Sequence, residues 1–534
     1  MDIEKYLSYI KKPTQYIGRE WNSIYKNNIE NSKLLKFCLA FPDIYEIGMS
    51  NLGLQIIYNI LNKRDDVFCE RAFSPEQDME DILKKNDLPL FSIETKTPLN
   101  EFDIIGFNIQ HELCYTNILN ILSLSKIPLK STERNEKNPL IIAGGPACVN
   151  PLPISDFIDA FVIGDGEDII NTIIDLKLKT KNKQELLKEL SKIDSIYVPL
   201  YHDGKKIIEK NIVDLETAEY PVKSVVPFMN TTQNRLSVEI MRGCARGCSF
   251  CQASKLYHPR RIKSKEKILE IIEKGIASTG YDEISLLSLS TADYPQINEL
   301  MDSVMRICLK KRVAVSLPSL RCHPSSVDLA TKTRTFKKTS LTFAPEAGTE
   351  RLRKHIGKFL TDAEILETAG YSFKSGWRLI KLYFMIGLPT ETEADIEGIV
   401  SLVRSIKKQT PQLNLNISIS PFVPKPHTVF EREKFFGLNY FSEKRDFLKR
   451  KLSTAVKFHK PEISMLEAIF ARGDKNLNPV LLTAFENGCK FDQWNEKFLY
   501  QKWLDAFKEN KIELNDYLKE IESSKVLPWS FIKL

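Results

Sequence analysis

Two series of short apolar strands, each followed by a helical segment, run through the 534-residue sequence. In the first series, apolar segments at 34–41, 102–109, 140–145 and 160–168 are separated by helical or polar stretches. Parallel strands need long crossovers, which helices usually supply, so this alternation predicts a doubly wound parallel sheet covered on both faces. Gly and Asp residues follow these strands, at the edge where open α/β sheets bind ligands.

The second series contains six strand–helix units between 235 and 422. Six such units predict a partial (β/α)6 TIM barrel, whose active residues gather at the carboxyl ends of the strands. In the segment before the barrel, Asp203-Gly204 is a turn signal that predicts a hairpin. We predict an N-terminal extension (1–33), the parallel-sheet domain (34–180), a connector with the hairpin (181–232), the barrel (233–430) and a mostly helical C-terminal domain (431–534).

Charge and composition narrow the function classes. The net charge of +7 is small for this length, and short basic clusters such as 444–451 are interpreted as solvated helix faces, so nucleic-acid binding is not indicated. The first residues lack the apolar core of a signal peptide, and no apolar stretch is long enough to cross a bilayer. We therefore expect a cytoplasmic protein without a membrane partner, in which ten cysteines stay reduced.

Three of the ten cysteines are clustered in the segment 239–254, EIMRGCARGCSFCQAS. Cys244, Cys248 and Cys251 have the spacing C-x3-C-x2-C, and thiolates are the usual ligands of iron–sulfur clusters. A cubane cluster has four irons, so three cysteines leave one iron open to a chelating amine and carboxylate. Gly243 and Gly247 allow a tight loop, and the aromatic ring of Phe250 is suited to shield a cluster from water.

Two simpler interpretations of these cysteines remain. They could be unrelated buried or redox-active thiols, or they could hold zinc with a fourth ligand. His258 is the only nearby candidate for that fourth ligand.

The segment resembles the radical S-adenosylmethionine (SAM) superfamily, whose defining motif is C-x3-C-x2-C with an aromatic residue before the last cysteine. The resemblance covers roughly 235–430. It implies a 4Fe–4S cluster that cleaves SAM reductively, a 5′-deoxyadenosyl radical that abstracts a hydrogen from a substrate, and an electron donor such as flavodoxin or ferredoxin.

The same resemblance implies a SAM site at the strand ends of the barrel. Ser288, Ser290 and Asp293 correspond to polar groups near the methionine amine, and Arg321 is a candidate partner for the methionine carboxylate. Glu346 lies in the segment that approaches the ribose in the family. Gly387 would let the backbone approach the adenine, and Glu391 would fix the turn that follows.

Residues 34–180 resemble the cobalamin-binding-like domain that precedes the barrel in one subgroup. Cobalamin domains carry a D-x-H-x-x-G loop after the first strand, and Asp43, Tyr45 and Gly48 match it with Tyr in place of the cobalt-binding His. Gly144 and Gly145 resemble the family's later glycine pair, and Gly164 and Gly166 follow one strand later. His111, at another strand end, is a substitute ligand in this hypothesis.

The chain as a whole resembles an uncharacterised bacterial family of radical SAM proteins with a cobalamin-binding-like N-terminal domain, through motifs that include EAIFARGD (467–474) and LPWSF (527–531). This implies an enzyme of unknown substrate, with cobalamin-dependent methyl transfer as one reaction. In the C-terminal domain, the candidates for a substrate site are Arg472, Asp474, Asp492 and Trp494.

Two other functions stay open. A methylthiotransferase-like enzyme that modifies RNA or protein would need a second cluster, for which Cys38, Cys69, Cys114 and Cys148 are available. A non-catalytic iron–sulfur sensor or assembly protein would bind a cluster without cleaving SAM.

Overall fold

The computed structural model of the protein describes residues 3–26, 34–334 and 340–534. Its first sheet has the order β2-β1-β3-β4-β5-β6; the first five strands are parallel, and β6 is antiparallel to β5. The strands are β1 (Leu35–Phe41), β2 (Val67–Phe73), β3 (Ile104–Asn108), β4 (Leu140–Gly144), β5 (Ala160–Val162) and β6 (Ile196–Tyr197). The helices are α1 (Tyr45–Gly48), α2 (Leu52–Lys63), α3 (Gln77–Lys85), α4 (Tyr115–Leu124), α5 (Ile169–Lys179) and α6 (Lys183–Leu190).

The predicted doubly wound sheet is confirmed, and it contains one strand that the sequence did not reveal. Strand β2 is buried along its whole length although it carries Glu70 and Arg71 in its middle. Arg71 is held between the carboxylates of Glu20, at 2.9 Å, and Glu94, at 2.6 Å. These partners of Arg71 come from distant segments of the chain. The local sequence therefore shows two charged residues, Glu70 and Arg71, where a buried strand would be expected to be apolar.

The predicted hairpin in the connector is wrong. Its two arms pair with other strands: β6 pairs with β5, and β7 (Ile208–Glu209) pairs in parallel with the final strand, β17 (Ile532–Lys533). The turn at Asp203 is closed locally, because its carboxylate accepts from the amides of Lys205 and Lys206. A turn therefore does form at Asp203-Gly204, but the two segments that it connects belong to different sheets.

All six predicted barrel strands form, and every pair of neighbouring strands is parallel. Strands β8, β11 and β12 make one sheet, and β13 to β16 make a second. The strands are β8 (Leu236–Glu239), β11 (Glu283–Leu287), β12 (Ala314–Ser316), β13 (Leu341–Glu346), β14 (Leu379–Ile386), β15 (Asn414–Pro421) and β16 (Ala455–Phe458), with a short ribbon of β9 (Met241–Arg242) and β10 (Arg261–Ile262) beside β8. The helices are α7 (Gln252–Leu256), α8 (Lys265–Thr279), α9 (Ile297–Lys311), α10 (Pro324–Lys332), α11 (Glu350–His355), α12 (Asp362–Lys374), α13 (Glu393–Gln409) and α14 (Leu438–Lys451).

Strand β16 extends the barrel beyond the expected boundary at residue 430. It pairs in parallel with β15 after the crossover helix α14, so this part of the chain is a further strand–helix–strand unit. The remaining C-terminal segment is mainly helical, as predicted. Its helices are α15 (Pro461–Arg472), α16 (Leu477–Glu486), α17 (Tyr500–Glu509) and α18 (Asn515–Leu518).

The C-terminal helices are bound to the first sheet as well as to the barrel. The amide of Asn150 donates to the carbonyls of Ala471 and Gly473, each at 2.9 Å, and the amide of Phe491 donates to Asn117. One apolar core joins helix α4, the second barrel sheet and α15 to α17. These contacts fix the C-terminal residues over the strand ends where the candidate site lies.

Arg71 gives a test of this packing. Substitution by Met would leave the buried carboxylates of Glu20 and Glu94 without their cation, and we expect Arg71→Met to lower the free energy of unfolding by about 3–5 kcal/mol. The matched control is Arg64→Met, since Arg64 pairs with the half-exposed Asp66 and Asp175 and should cost less than about 1 kcal/mol. Urea denaturation followed by circular dichroism measures both, and equal losses would contradict this account.

Candidate active site

The three clustered cysteines lie on a loop that the β9–β10 ribbon closes at its base. Cys244, Cys248 and Cys251 are all partly exposed. Gly243 and Gly247 have φ of 92° and 66°, and a Cβ at Gly243 would lie 2.5 Å from the carbonyl oxygen of Tyr257. Only glycine fits at position 243, because any side chain would collide with the backbone at the start of the loop.

One side of this loop is attached to the barrel. The amide of Ser249 donates to the carbonyl of Ile356 at 2.9 Å, at the end of helix α11. Phe250 packs against a small apolar cluster that includes Leu352, Leu388 and Phe422. The aromatic residue of the motif therefore covers the loop with apolar surface on the barrel side.

Cluster binding requires the cysteines as thiolates, so the charges around the loop matter for it. Burial raises the pKa of the Cys248 thiol, and the ammonium of Lys358 opposes that rise. Among the described residues, no three His, Cys, Asp or Glu side chains already converge on one ion position. A cubane does not require this, because each thiolate binds a different iron at its own corner. The donor set, the glycine entry and the apolar backing together fit a cubane with one open iron.

Opposite the cysteines, a carboxylate is held between two guanidinium groups. Asp293 accepts from Arg246 of the cysteine loop at 2.9 Å and from Arg321 at 3.3 Å. Partial burial would raise the pKa of Asp293, but the hydrogen bonds from Arg246 and Ser290 and the charges of Arg246 and Arg321 together lower it. Asp293 and Arg321 were predicted from the sequence, whereas Arg246 was not, and only its place inside the cysteine motif could have suggested it. This set of charges complements a zwitterionic amino acid.

Ser288 and Ser290 lie at the carboxyl end of β11, on the same rim. The hydroxyl of Ser288 is 3.0 Å from that of Thr291, and Ser290 is buried before the short turn that carries Asp293. The first of these serines lines the large cavity described below.

Glu346 terminates β13 in a strained conformation. The strand has a register shift between Phe343 and Glu346, and Glu346 has φ of 73°, which is unusual for a residue with a side chain. Its carboxylate is 2.9 Å from the ammonium of Lys358. The bulge thus turns this carboxylate toward the side of the barrel where the cysteine loop lies.

Gly387 and Glu391 form a closed turn after β14. The Gly387 amide donates to Oε1 of Glu391 at 2.7 Å, and the Tyr440 hydroxyl donates to the same oxygen. A Cβ at Gly387 would meet the Phe441 ring at 2.9 Å, so this glycine is required by packing against α14. Glu391 therefore holds the backbone of Gly387, and the ring of Phe441 fills the space beside the Cα of this glycine.

A cavity of about 560 Å³ separates the first sheet from the mouth of the barrel. On the sheet side it is lined by residues that follow β3, β4 and β5. On the barrel side it is lined by residues of the cysteine-loop base, by the end of β11 and by residues that follow β12. These include Gly144, Gly145, Gly164, Gly166, Met241, Gly243, Ser288 and Ser319. The cavity therefore lies between the glycine-rich strand ends of the first sheet and Gly243, the residue that precedes Cys244.

The predicted residues of the D-x-H-x-x-G-like loop do not line this cavity. Tyr45 is buried, and its hydroxyl donates to Glu20 at 2.9 Å. Gly48 packs under Phe73, whose ring a Cβ would meet at 2.4 Å, and Asp43 faces a smaller neighbouring cavity. Gly144 and Gly145 do line the large cavity, and a Cβ at Gly144 would contact only Val162, at 3.9 Å.

One wall of the large cavity is an ion network that was not predicted from the sequence. Arg242 lies 2.8 Å from Asp165, 2.7 Å from Glu167 and 2.9 Å from Glu239. Asp165 also pairs with Arg261 of β10. The acidic run after β5 was visible in the sequence, but its basic partners come from the other domain.

Three of the four C-terminal residues predicted to line a substrate site make hydrogen bonds within the protein. Arg472 is buried and donates to the carbonyl of Glu433 at 2.6 Å, and the Asp474 carboxylate accepts from Tyr517. Asp492 accepts from Thr116 at 2.6 Å and from the Trp503 indole at 2.8 Å, and burial raises its pKa to about 6.

Trp494 interacts with the Asp43 carboxyl, whose pKa burial raises to about 6. Of the four C-terminal candidates, Trp494 is thus the one that reaches a residue beside a cavity.

Two family models match successive regions of the chain. The family model for the N-terminal region of radical SAM proteins matches residues 53–199, and the model for the radical SAM superfamily matches residues 238–403. An uncharacterised protein of Methanocaldococcus jannaschii is 28% identical over 491 residues, which cover 90% of this chain and 99% of that protein.

Two solved structures share the fold. The radical SAM methyltransferase TsrM from Kitasatospora setae, with cobalamin and an iron–sulfur cluster bound, has a TM-score of 0.53 at 12% identity, over 75% of this chain and 74% of that one. The cobalamin-dependent radical SAM enzyme OxsB, with aqua-cobalamin and SAM bound, has a TM-score of 0.53 at 12% identity, over 90% and 71%. Within the described residues, none of the helices has the length and apolar character needed to cross a membrane.

Glu391 gives a pH-dependent test of the turn after β14. Burial raises its pKa from 4.5 to about 7, so between these values the folded protein keeps a proton that the unfolded chain loses. The free energy of unfolding of the wild type should therefore fall, relative to Glu391→Gln, by at most about 3 kcal/mol as pH rises from 4.5 to 7. Gln keeps an oxygen that can accept from Gly387 and Tyr440.

Urea denaturation at a series of pH values measures this difference. The control is Glu393→Gln, an exposed neighbour that pairs with Lys444 and should follow the wild-type profile. A constant difference between wild type and Glu391→Gln across this range would show that Glu391 titrates normally.

Proposed function

Because the chain belongs to the radical SAM superfamily of enzymes, we propose that Cys244, Cys248 and Cys251 bind a 4Fe–4S cluster and that SAM binds at its open iron. The bound cluster would supply the electron for reductive cleavage of SAM, and a corrinoid would supply a methyl group for transfer. The observation that carries the proposal is that one cavity is lined both by Gly144 and Gly145 of the first sheet and by Gly243 at the start of the cysteine loop.

The charges at the barrel rim support a SAM site beside the cysteines. Arg246 and Arg321 would pair with the methionine carboxylate, and Asp293 would accept from the methionine amine. In the protein without ligand the two guanidinium groups share the one carboxylate of Asp293, so the carboxylate of a bound amino acid would supply the second negative charge. Glu346 would accept from the ribose hydroxyls, with Lys358 holding its carboxylate in place.

The large cavity supports cobalamin binding on the first sheet. Gly144 and Gly145 leave flat backbone at the strand ends, which a macrocycle can approach closely. The loop of Asp43, Tyr45 and Gly48 would provide no axial ligand, because the Tyr45 hydroxyl is bound to Glu20 inside the core. The Arg242 network would orient polar groups at the rim of the ligand.

The methylthiotransferase-like alternative is not favoured. Its second cluster would need N-terminal thiolates, but Cys38, Cys69, Cys114 and Cys148 are all buried in the first domain. Burial raises the pKa of each of these four thiols. A buried thiol with a raised pKa is a poor cluster ligand.

The proposed reaction needs an electron donor and a substrate. We infer a small redox protein such as flavodoxin or ferredoxin as the donor, and a cytoplasmic location where such donors operate. The half-exposed cysteine loop is consistent with electron entry from the protein surface.

The first experiment tests the cluster. Anaerobically reconstituted and reduced wild-type protein should contain about four irons per chain and convert SAM to 5′-deoxyadenosine or S-adenosylhomocysteine. Cys248→Ala should lose both the cluster absorbance and the conversion, whereas Cys489→Ala, a buried thiol of the C-terminal segment, should keep both. Iron analysis and chromatography of the nucleosides measure this. A wild-type cluster that leaves SAM intact would instead indicate a sensor or assembly protein.

The second experiment tests cobalamin. A Cβ at position 144 would make only an ordinary contact with Val162, at 3.9 Å, and Gly144 lines the cavity. Gly144→Leu should therefore fold normally and retain less than about a tenth of the cobalamin that the wild type retains after desalting. Cobalt analysis and the corrinoid absorbance measure retention.

The matched control is Gly437→Leu, at a position where a Cβ meets nothing within 4 Å and which lies outside the cavity lining. Equal retention by wild type and Gly144→Leu, or no retention by the wild type, would contradict cobalamin binding in this cavity.

A further inference from the structure

A second cavity, of about 280 Å³, lies beside the large one at the carboxyl ends of β1 and β3. Asn51, Asn108 and Gln110 line both cavities. They are hydrogen bonded in a row, since Asn108 donates to Asn51 at 3.1 Å and Gln110 donates to Asn108. The second cavity is therefore a side chamber of the space assigned above to the cofactors.

The walls of the side chamber combine apolar and polar surface. Phe41, Pro42 and Ile47 provide the apolar part. Asp43 and His111 provide titratable groups, and a residue of the C-terminal segment, Gln493, closes the chamber from the other side. A ligand there would contact an apolar wall and a small number of polar atoms, which is typical of small-molecule sites.

Gln493 fixes the tautomer of His111. The Gln493 amide nitrogen donates to Oδ2 of Asp43, so its amide oxygen is turned to His111 and can only accept. Nε2 of His111 must then carry the proton. In a neutral imidazole this leaves Nδ1 with a free lone pair.

That lone pair has no partner in the part of the chain that the structure describes, although the atom is buried. Burial lowers the pKa of His111, which keeps the ring neutral; Glu112 and Glu467 oppose this effect and Lys425 reinforces it. A buried acceptor without a donor is costly, so the atom is suited to receive a donor from a ligand.

We propose that the side chamber is the substrate subsite, and that Nδ1 of His111 accepts a hydrogen bond from an O–H or N–H group on an apolar substrate. Asp43 and Gln493 act as positioning residues through the tautomer that they impose. The identification of this ligand as the substrate rests on the proposed function, whereas the binding site itself does not.

The test uses phenol and anisole as matched probes, which differ in one hydroxyl donor. Reconstituted wild-type protein should bind phenol about tenfold more tightly than anisole in isothermal titration, the factor expected for one buried hydrogen bond. His111→Phe keeps a ring and removes the acceptor, so it should bind the two probes within about twofold of each other. His459→Phe, a histidine that does not line the chamber, should keep the wild-type preference.

A second variant covers the case in which His111→Phe fails to fold. Gln493→Leu frees the imidazole tautomer and should reduce the preference for phenol several-fold. The proposal is overturned if the wild type binds neither probe or binds both equally, or if a folded His111→Phe or Gln493→Leu keeps the full preference. Because no SAM is cleaved in these titrations, their failure is distinguishable from failure of the radical chemistry.

Discussion

The ion network around Arg242 determines how the two halves of the protein face each other. Arg242 precedes the glycine that opens the cysteine loop, and it reaches across to Asp165 and Glu167 at the end of β5. Three cations, on Arg242, Arg261 and Lys263, meet three carboxylates, so the partly buried network is neutral as a whole. Removing such charges from water is expensive, and only complete mutual pairing offsets the cost. The arrangement is consequently specific to one relative placement of sheet and barrel.

Glycines line the large cavity on both sides, and the reason is local to each side. The strand ends of the first sheet and the entry to the cysteine loop approach the same space, and side chains at Gly145 or Gly243 would collide with neighbouring backbone. At Gly144 the space beyond the backbone is open instead. Close backbone packing and room for a flat ligand therefore come from the same residue type, for different physical reasons.

The sequence predicted those features that local pattern encodes. Four strands of the first sheet and six of the barrel are apolar runs, and the cysteine spacing identified the loop before its geometry was known. Strand β2 was missed because Arg71 interrupts the run, and its partner Glu20 is 51 residues away. Arg242 was missed for the same reason, since 77 residues separate it from Asp165. Pairings of this kind depend on the folded topology, which a local pattern does not contain.

At Tyr45 the chain has the spacing of the D-x-H-x-x-G loop without its histidine. In this chain the position belongs to the core: the Tyr45 hydroxyl, Arg71 and Glu20 form one buried group, which ties the N-terminal extension to the first sheet. A histidine there would be too short to replace this contact and would leave a Glu20 oxygen without its donor. The packing of the domain thus favours Tyr45 over a histidine at this position. Any corrinoid in the cavity would have to be held by its edges and its faces, through the glycine strand ends and the polar rim.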